Sequence, residues 1–402
     1  MNFRPNQPLQ ARVRLVYYVF VAAAVVSFVY SVLLGQYNGD FFPQPVYLPV
    51  GRLLVILVVS VLPLFLAWKI TGFVDRTDAR RVYVLPSPTL WVLLVVVFGS
   101  HIAATVFYGV GVMDREVYEA PALVQPVIQI INRLDPFYVG VFFILSTPKR
   151  ASTDLVVILL MISLGFLRAG LGSFNYVLIA LFIKYSVEII RLSKQRPWVL
   201  IVAAATLPAL MSSLYSFRAY LRGDIEIEIG ISDVLFGRLA GRLSSFSNAA
   251  YIDQNSSVFV WLSSMLEPLY YVKQGLVTIL GSGVGPEWTP EKILISGTQY
   301  YGGYSTYMTG IPGNLFFAWN VSPLSATLNA FATFVTVVII IWLPRFLGNG
   351  IARAFGIGML FYPLVSGVAN EFSQLLLNTA FLVAFSIFFG RAEINRVPVH
   401  VR

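Results

Sequence analysis

Arginines are the residues whose spacing most directly suggests chemistry in this chain. Arg238 and Arg242 stand four residues apart in segment 232–252, where apolar residues recur at helical spacing. Residues four apart project from one face of a helix. A guanidinium group matches phosphate oxygens with two hydrogen bonds and keeps its charge at any working pH. The pair therefore predicts a clamp for a diphosphate. The alternative is two solvated arginines on an amphipathic helix at a membrane surface, and spacing alone leaves that alternative open.

Three further arginines are candidates for the same role. Arg218 and Arg222 stand in the polar stretch 217–313, which also holds eight carboxylates between Asp224 and Glu291. Arg168 lies among glycines in SLGFLRAGLGSF, at the turn between two short apolar segments. Ionisable groups within membrane segments are costly and are usually functional. Arg168 is therefore expected to meet an anion, either a protein carboxylate or a ligand phosphate.

Carboxylates supply the candidates for a general base. Glu371, Gln374 and Asn378 fall on one face of the last apolar segment. Such a polar stripe either joins helices by hydrogen bonds or carries an acid or base. The base candidates are Glu371, Glu287, Glu267 and Asp253. The sequence does not rank them.

Cysteine and histidine are too scarce to build a metal or thiol site. The chain has no cysteine and two histidines, His101 and His400. Disulfides, thiol catalysis and Cys/His metal sites are excluded, and no cofactor is predicted. A lone histidine such as His101 is more often a hydrogen-bonded packing residue than a catalyst.

The elements that must position these residues are membrane helices. The chain is 57% hydrophobic and 12% charged, whereas soluble domains carry roughly 25% charged residues. A spanning helix needs about 20 apolar residues. The predicted fold is an all-α membrane bundle of ten or more helices, with seven in 1–216, a large external loop with short helices in 217–313, and the rest in 314–402. The predicted spans are 13–34, 50–70, 89–110, 126–147, 154–171, 174–192, 198–217, 314–343, 351–368 and 371–390.

The basic residues predict an orientation. Most of the 28 lysines and arginines fall in alternate connections, and cytoplasmic segments of membrane proteins carry such an excess. Both termini are therefore predicted to be cytoplasmic, and the 217–313 loop to face outward. The net charge of +9 reflects this topology, so nucleic acid is not an expected partner. Near a predicted cytoplasmic end, Lys184 and Glu188 are four residues apart and are predicted to pair.

At this point the pattern resembles a known family. Ten or more helices, the turn LGFLRAGLGSFNYVLIALF and a large external loop carrying RLAGRLSSFSNAAYI resemble the bacterial Wzy-type O-antigen and oligosaccharide repeat-unit polymerases. The architectural resemblance covers most of the chain. The match of motifs is confined to the turn at Arg168 and the segment from Arg238 to Ile252.

The resemblance implies a specific reaction. A growing glycan on undecaprenyl diphosphate is moved onto the non-reducing sugar of a lipid-linked repeat unit, and undecaprenyl diphosphate is released. The reaction takes place at the periplasmic face of the bacterial inner membrane. Arginines of the external loops are implied to hold the donor diphosphate, which fits Arg168, Arg238 and Arg242. The implied partners are lipid-linked oligosaccharides and membrane lipid, and a chain-length regulator protein stays open.

Two alternatives remain at this stage. The first is an O-antigen ligase or another polyprenyl-dependent glycosyltransferase. The related ligases use a histidine in the later external region, and this chain has none between His101 and His400, which argues against a ligase. The second is a flippase or transporter of lipid-linked sugars. Such a protein is expected to show repeated halves and short loops, neither of which is visible in the sequence.

Overall fold

The computed structural model is helical throughout almost all of the chain that it describes. It describes residues 8–75, 79, 81–112, 120–168, 170, 172–199, 237, 240–280, 282–298 and 308–394, with single positions at 202, 206, 209 and 213. The helices are α1 (Leu9–Leu34), α2 (Val50–Val74), α3 (Ser87–Tyr108), α4 (Gln125–Ile131), α5 (Pro136–Ser146), α6 (Ala151–Leu167), α7 (Gly172–Lys184), α8 (Ser186–Gln195), α9 (Phe246–Gln254), α10 (Ser256–Ser263), α11 (Tyr270–Leu280), α12 (Pro290–Thr298), α13 (Gly310–Val321), α14 (Pro323–Trp342), α15 (Phe355–Ser366) and α16 (Ala369–Phe389). Single helical turns lie at Gly39–Phe41, Ala240–Arg242, Ser282–Val284, Leu343–Phe346 and Ala352–Ala354.

Six helical segments in the described part are long and apolar enough to cross a membrane. They are Leu9–Leu34, Val50–Val74, Ser87–Tyr108, Gln125–Ser146, Pro323–Phe346 and Ala369–Phe389, and α7 with α8 makes a seventh if the bent pair is one span. Their outward faces are apolar: Val92, Val95 and Val96 of α3 are each more than 60% exposed. Such surfaces suit lipid rather than water. The chain is a membrane-embedded helical bundle, as its composition predicted.

The remaining predicted spans differ from the structure in instructive ways. Segments 154–171 and 351–368 correspond to shorter apolar helices, Ala151–Leu167 and Ala352–Ser366. Segment 198–217 lies mainly outside the described residues. The predicted 314–343 span is divided at Ser322, because the Ser322 hydroxyl accepts a hydrogen bond from Ser325 N at 3.0 Å and Pro323 lacks an N–H, which together start a new helix.

One end of the bundle gathers the connections that are rich in basic residues. Strand β1 (Arg81–Val84) pairs antiparallel with β2 (Arg391–Ile394), a two-stranded sheet that the sequence did not predict. Gly348 N donates to Tyr83 O at 2.8 Å, and the Asn349 side chain donates to Ser146 O at 3.0 Å. Leu9 N donates to an Asp75 carboxylate oxygen at 2.8 Å. We call this end of the bundle the basic end.

The predicted pairing of Lys184 with Glu188 is wrong. Lys184 Nζ lies 2.7 Å from Asp154 Oδ1 in a buried ion pair, and Glu188 instead meets Lys149 at 2.5 Å. The Tyr185 hydroxyl donates to the second oxygen of Asp154 at 2.5 Å. The reason is that α7 and α8 meet at Tyr185 with a bend of 78°. Residues four apart share a face only along a continuous helix.

The opposite end, which we call the loop end, is covered by α9 to α12. Helix α9 packs on α2 and α13, and α11 packs on α14 and α16. The Tyr37 hydroxyl donates to the Gln254 side chain at 2.7 Å, and the Phe41 and Tyr251 rings stack with centroids 3.8 Å apart. The described part of the external loop is therefore packed onto the membrane helices and is not a separate body.

The predicted continuous helix over 232–252 is interrupted within its described part. A single turn at Ala240–Arg242 ends before α9 begins at Phe246. The Ser244 hydroxyl accepts a hydrogen bond from Phe246 N at 3.0 Å, which is the local bond by which serine competes with helix. Helix α10 at Ser256–Ser263 is one of the short helices predicted for this loop.

Candidate functional site

Arg168 is held at the loop end by side chains from α3. Arg168 ends α6, and its Nη2 lies 2.8 Å from His101 Nδ1 while its Nε donates to Thr105 Oγ1 at 3.2 Å. His101 and Thr105 are four residues apart, so one face of α3 presents both acceptors. Two directed contacts fix the plane of the guanidinium group, and the side chain stays partly exposed.

These contacts fix the state of His101. Its Nε2 lies 2.7 Å from Leu134 O, a group that only accepts hydrogen bonds. Arginine, in turn, only donates. His101 must therefore carry its proton on Nε2 and accept from Arg168 through the lone pair of Nδ1. This is the neutral imidazole, and both ring nitrogens are occupied, so His101 positions Arg168 and is not available as a base.

The surroundings of Arg168 leave space and a counter-charge. A Cβ atom at Gly111 would lie 3.0 Å from Arg168 Nε, and Gly111 has a φ of +75°, so only glycine suits this turn. Asp135 is the electrostatic neighbour of Arg168. Its carboxylate accepts from Phe137 N at 2.8 Å and caps α5. A protein carboxylate is therefore close enough to act on Arg168 through its charge.

The polar stripe on α16 divides into a joining part and an ionisable part. Asn378 is buried, accepts from Asp135 N at 3.0 Å and donates to Gln374 O at 2.8 Å, so it ties α16 to the chain that leads into α5. Glu371 lies in the first turn of α16, and the Ser366 hydroxyl donates to its carboxylate. Asn378 therefore joins helices, and Glu371 is left as the candidate acid or base of the stripe.

A second carboxylate, Glu291, stands near Glu371 in the wall of a cavity. Glu291 begins α12, is 9% exposed and acts on Glu371 electrostatically. The cavity has a volume of about 310 Å³ and lies between α11, the chain before α12 and the start of α16. Burial raises the pKa of Glu291 above that of an ordinary glutamate. Glu291 is not among the base candidates predicted from the sequence, although Thr289 and Pro290 before it are typical of a helix start.

Arg242 is engaged by a carboxylate from a distant turn. Its Nη2 lies 2.7 Å from Asp40 Oδ1. The Asp40 side chain is 1% exposed and also accepts from Asn248 Nδ2 at 2.9 Å and from Met308 N at 3.1 Å. Gly241 allows the approach, because a Cβ there would overlap the backbone of Gly39. The Arg242 side chain is still 40% exposed and so can present part of its fork outward.

Two of the other base candidates, Asp253 and Glu267, have structural partners for their carboxylates. Arg52 holds Asp253 through two hydrogen bonds of 2.8 and 2.7 Å. Glu267 accepts from Glu287 N at 2.7 Å and from the Lys273 ammonium, and these contacts lower the pKa of Glu267. The Glu287 side chain is exposed. Of the four predicted candidates, Glu371 alone neighbours a second buried carboxylate.

Three of the predicted diphosphate ligands lie outside the described residues: Arg218, Arg222 and Arg238. The described candidates, Arg168 and Arg242, are held by different elements at the same end of the bundle. No protein-family model, curated protein or solved structure significantly matches this chain.

Proposed function

We propose that this chain is a membrane glycosyltransferase that polymerises oligosaccharide repeat units linked to undecaprenyl diphosphate. It transfers the growing glycan from its lipid diphosphate to the non-reducing sugar of a new lipid-linked unit. The observation that carries the proposal is Arg168, whose guanidinium group is oriented by neutral His101 and Thr105 at the loop end of a membrane bundle. A lipid diphosphate at the membrane surface is an anion that such a fork matches.

The polar groups of the loop end suit the two halves of this transfer. Negative charge develops on the leaving diphosphate, and a preorganised arginine stabilises it. The attacking hydroxyl loses a proton, and a carboxylate with little solvent around it can accept that proton. Arg168 and Arg242 serve the first role in this proposal. For the second role, Glu371 is the sequence-predicted candidate that lies near another carboxylate, Glu291, and the base is one of these two carboxylates.

The proposal includes a topology. The chain has ten spans in the bacterial inner membrane, both termini lie in the cytoplasm, and the loop end faces the periplasm. The concentration of lysine and arginine at the basic end supports this orientation. Membrane lipid and, as a further partner, a chain-length regulator protein belong to the same proposal.

Deletion of the gene, followed by gel electrophoresis of the surface polysaccharide, tests the function. We expect the ladder of long chains to collapse to a single repeat unit, with the ladder restored by the gene on a plasmid. Loss of all repeat units would identify a ligase or a flippase instead. An unchanged ladder would contradict every function in this group.

A further inference from the structure

The cavity beside Glu291 has both polar and apolar walls. Its polar wall residues are Gln274, Thr289, Glu291, Lys292 and Asn370, and Val277 and Pro286 add apolar surface. Side-chain amides and carboxylates hydrogen-bond pairs of hydroxyl groups, while apolar wall patches suit the C–H face of a sugar ring. The volume of about 310 Å³ is at the lower end of the roughly 300–1,000 Å³ that small-molecule sites occupy.

One oxygen of the Glu291 carboxylate has an unmet hydrogen-bonding need, although the Thr289 hydroxyl and the backbone N–H of Glu291 also act on this carboxylate. Among the described residues, no donor contacts its Oε1, although that atom is buried. A buried polar atom without a partner costs roughly 1–3 kcal/mol, so native structures rarely leave one. A ligand that donates a hydroxyl group to Glu291 would meet this need.

Glu371 makes Glu291 different from an ordinary buried glutamate. The two carboxylates interact electrostatically, and the Ser366 hydroxyl holds Glu371. Asn370, which directly precedes Glu371 in the first turn of α16, lies in the cavity wall. The negative charge of one carboxylate disfavours ionisation of the other.

We propose that this cavity, which we call the acceptor cavity, binds the non-reducing sugar of the acceptor and that Glu291 takes the proton from its attacking hydroxyl. The inference rests on the proposed function. The acceptor oxygen forms a bond to the anomeric carbon of the donor glycan, and the bond from that carbon to the diphosphate breaks. The electron pair leaves on the diphosphate oxygen, and the hydroxyl proton passes to the Glu291 carboxylate.

Binding can be tested separately from activity by labelling a single introduced thiol. This is possible because the chain has no cysteine of its own. Val277→Cys and Gln274→Cys each place a single thiol in the wall of the acceptor cavity. Ser257→Cys places one on the exposed surface of α10. The probe is the lipid-free repeat-unit oligosaccharide released from the host's own polysaccharide. We expect it to slow labelling of both cavity thiols by a water-soluble maleimide and to leave the Ser257→Cys rate unchanged.

If the oligosaccharide does not slow maleimide labelling at either cavity position, or if neither thiol reacts, the proposal that this cavity binds the acceptor is wrong. That result would leave the proposed function standing if the wild-type chain still supports a polysaccharide ladder. If the gene deletion leaves the ladder intact, the proposed function itself is wrong, whatever the labelling experiment shows. The two failures are therefore distinguishable.

Kinetics test the role of Glu291. In purified protein extending lipid-linked repeat units, we expect Glu291→Gln to slow extension at least about 100-fold, the lower range of general-base effects. Glu291→Asp keeps a carboxylate and should recover part of the rate. The matched control is Glu393→Gln, an exposed glutamate on β2 at the basic end. A wild-type rate for Glu291→Gln, with normal elution on gel filtration, would remove Glu291 from the mechanism.

Discussion

At the scale of single residues, the two most informative side chains are Arg168 and His101. Each looks ambiguous alone, because a lone histidine and a lone arginine in apolar segments have several ordinary uses. Together they define one state: His101 is neutral, its Nδ1 accepts from Arg168, and its Nε2 donates to Leu134 O. Arg168 keeps its full charge for an incoming anion while its orientation is set.

The first prediction concerns the guanidinium fork. We expect Arg168→Ala to abolish long polysaccharide chains, and Arg168→Lys to restore little, because an ammonium group cannot contact His101 and Thr105 while also presenting a planar fork. Chain-length ladders from strains with equal protein levels provide the measurement. Arg133→Ala, which removes another arginine near the loop end, is the control. A normal ladder from Arg168→Ala would reduce Arg168 to a packing residue.

The second prediction concerns the buried carboxylate Glu291. Its pKa is raised in the folded chain by burial, so the folded state holds a proton at pH values where the unfolded chain has released it. Stability from this residue is therefore present at low pH and is lost as pH rises from about 4.3 through the raised pKa. The glutamine of Glu291→Gln stays neutral at every pH. We therefore expect the melting temperature of the variant in detergent, relative to that of the wild type, to increase as pH rises.

Other groups facing Glu291 titrate or carry charge, and the comparison must allow for them. They are Glu371 on α16, Tyr270 on α11 and Lys292 on α12. All three are present in both proteins, so the difference between wild type and Glu291→Gln isolates Glu291. Parallel melting curves at every pH between 4 and 8 would contradict a raised pKa. Glu393→Gln should show no such divergence.

At the scale of elements, bends and breaks decide which side chains meet. Helices α7 and α8 form one apolar stretch in the sequence, yet a bend of 78° at Tyr185 turns α8 away from α7. Lys184 at the end of α7 then enters the interior and pairs with Asp154 of α6. The division at Ser322 and the interruption before α9 act in the same way. The division at Ser322 and the interruption before α9 each follow from a local hydrogen bond, with Pro323 added in the first case.

The third prediction tests the ion pair at this bend. Removing one partner of a buried pair leaves an uncompensated charge, which typically costs about 3–5 kcal/mol. We expect Lys184→Met to lower the melting temperature in detergent strongly, and Lys184→Met with Asp154→Leu to recover most of the loss. Lys149→Ala breaks the more exposed pair with Glu188 and should cost less than about 1 kcal/mol. Equal effects of the two single substitutions would contradict a buried pair at the bend.

At the scale of the whole molecule, the chain has two chemically different ends. The basic end collects the arginine-rich connections and is tied by the β1–β2 sheet. The loop end collects Arg168, Arg242, Glu291 and Glu371, together with the helices packed over them. This difference between the two ends follows from the topology, because each spanning helix that the structure describes runs between the basic end and the loop end.

The fourth prediction tests which way the molecule faces. In cells with a permeabilised outer membrane, we expect a membrane-impermeant maleimide to label Ser257→Cys at the loop end. Glu393→Cys at the basic end should be labelled only after the inner membrane is opened. The cysteine-free wild type is the blank. Labelling in the opposite order would reverse the proposed orientation.

Part of the candidate site was predictable from the sequence, and part was not. Arg168 could be singled out because an arginine within an apolar stretch is costly wherever it lies. The polar face from Glu371 to Asn378 followed from helical periodicity. Glu291 was missed, since its burial arises from packing of α12 against distant elements rather than from its neighbours in the chain. The ion pair of Arg242 with Asp40, about 200 residues away, was missed for the same reason.

The sequence by itself determined that this protein is a helical membrane bundle with a polar loop, because composition and periodicity are local properties that the bilayer selects directly. Only the tertiary structure decided the partners. His101 and Arg168 are separated by 67 residues, and Glu291 and Glu371 belong to different helices. Contacts of this kind depend on where helices bend and how they pack. Bending and packing in turn depend on interactions between residues that are far apart in the sequence.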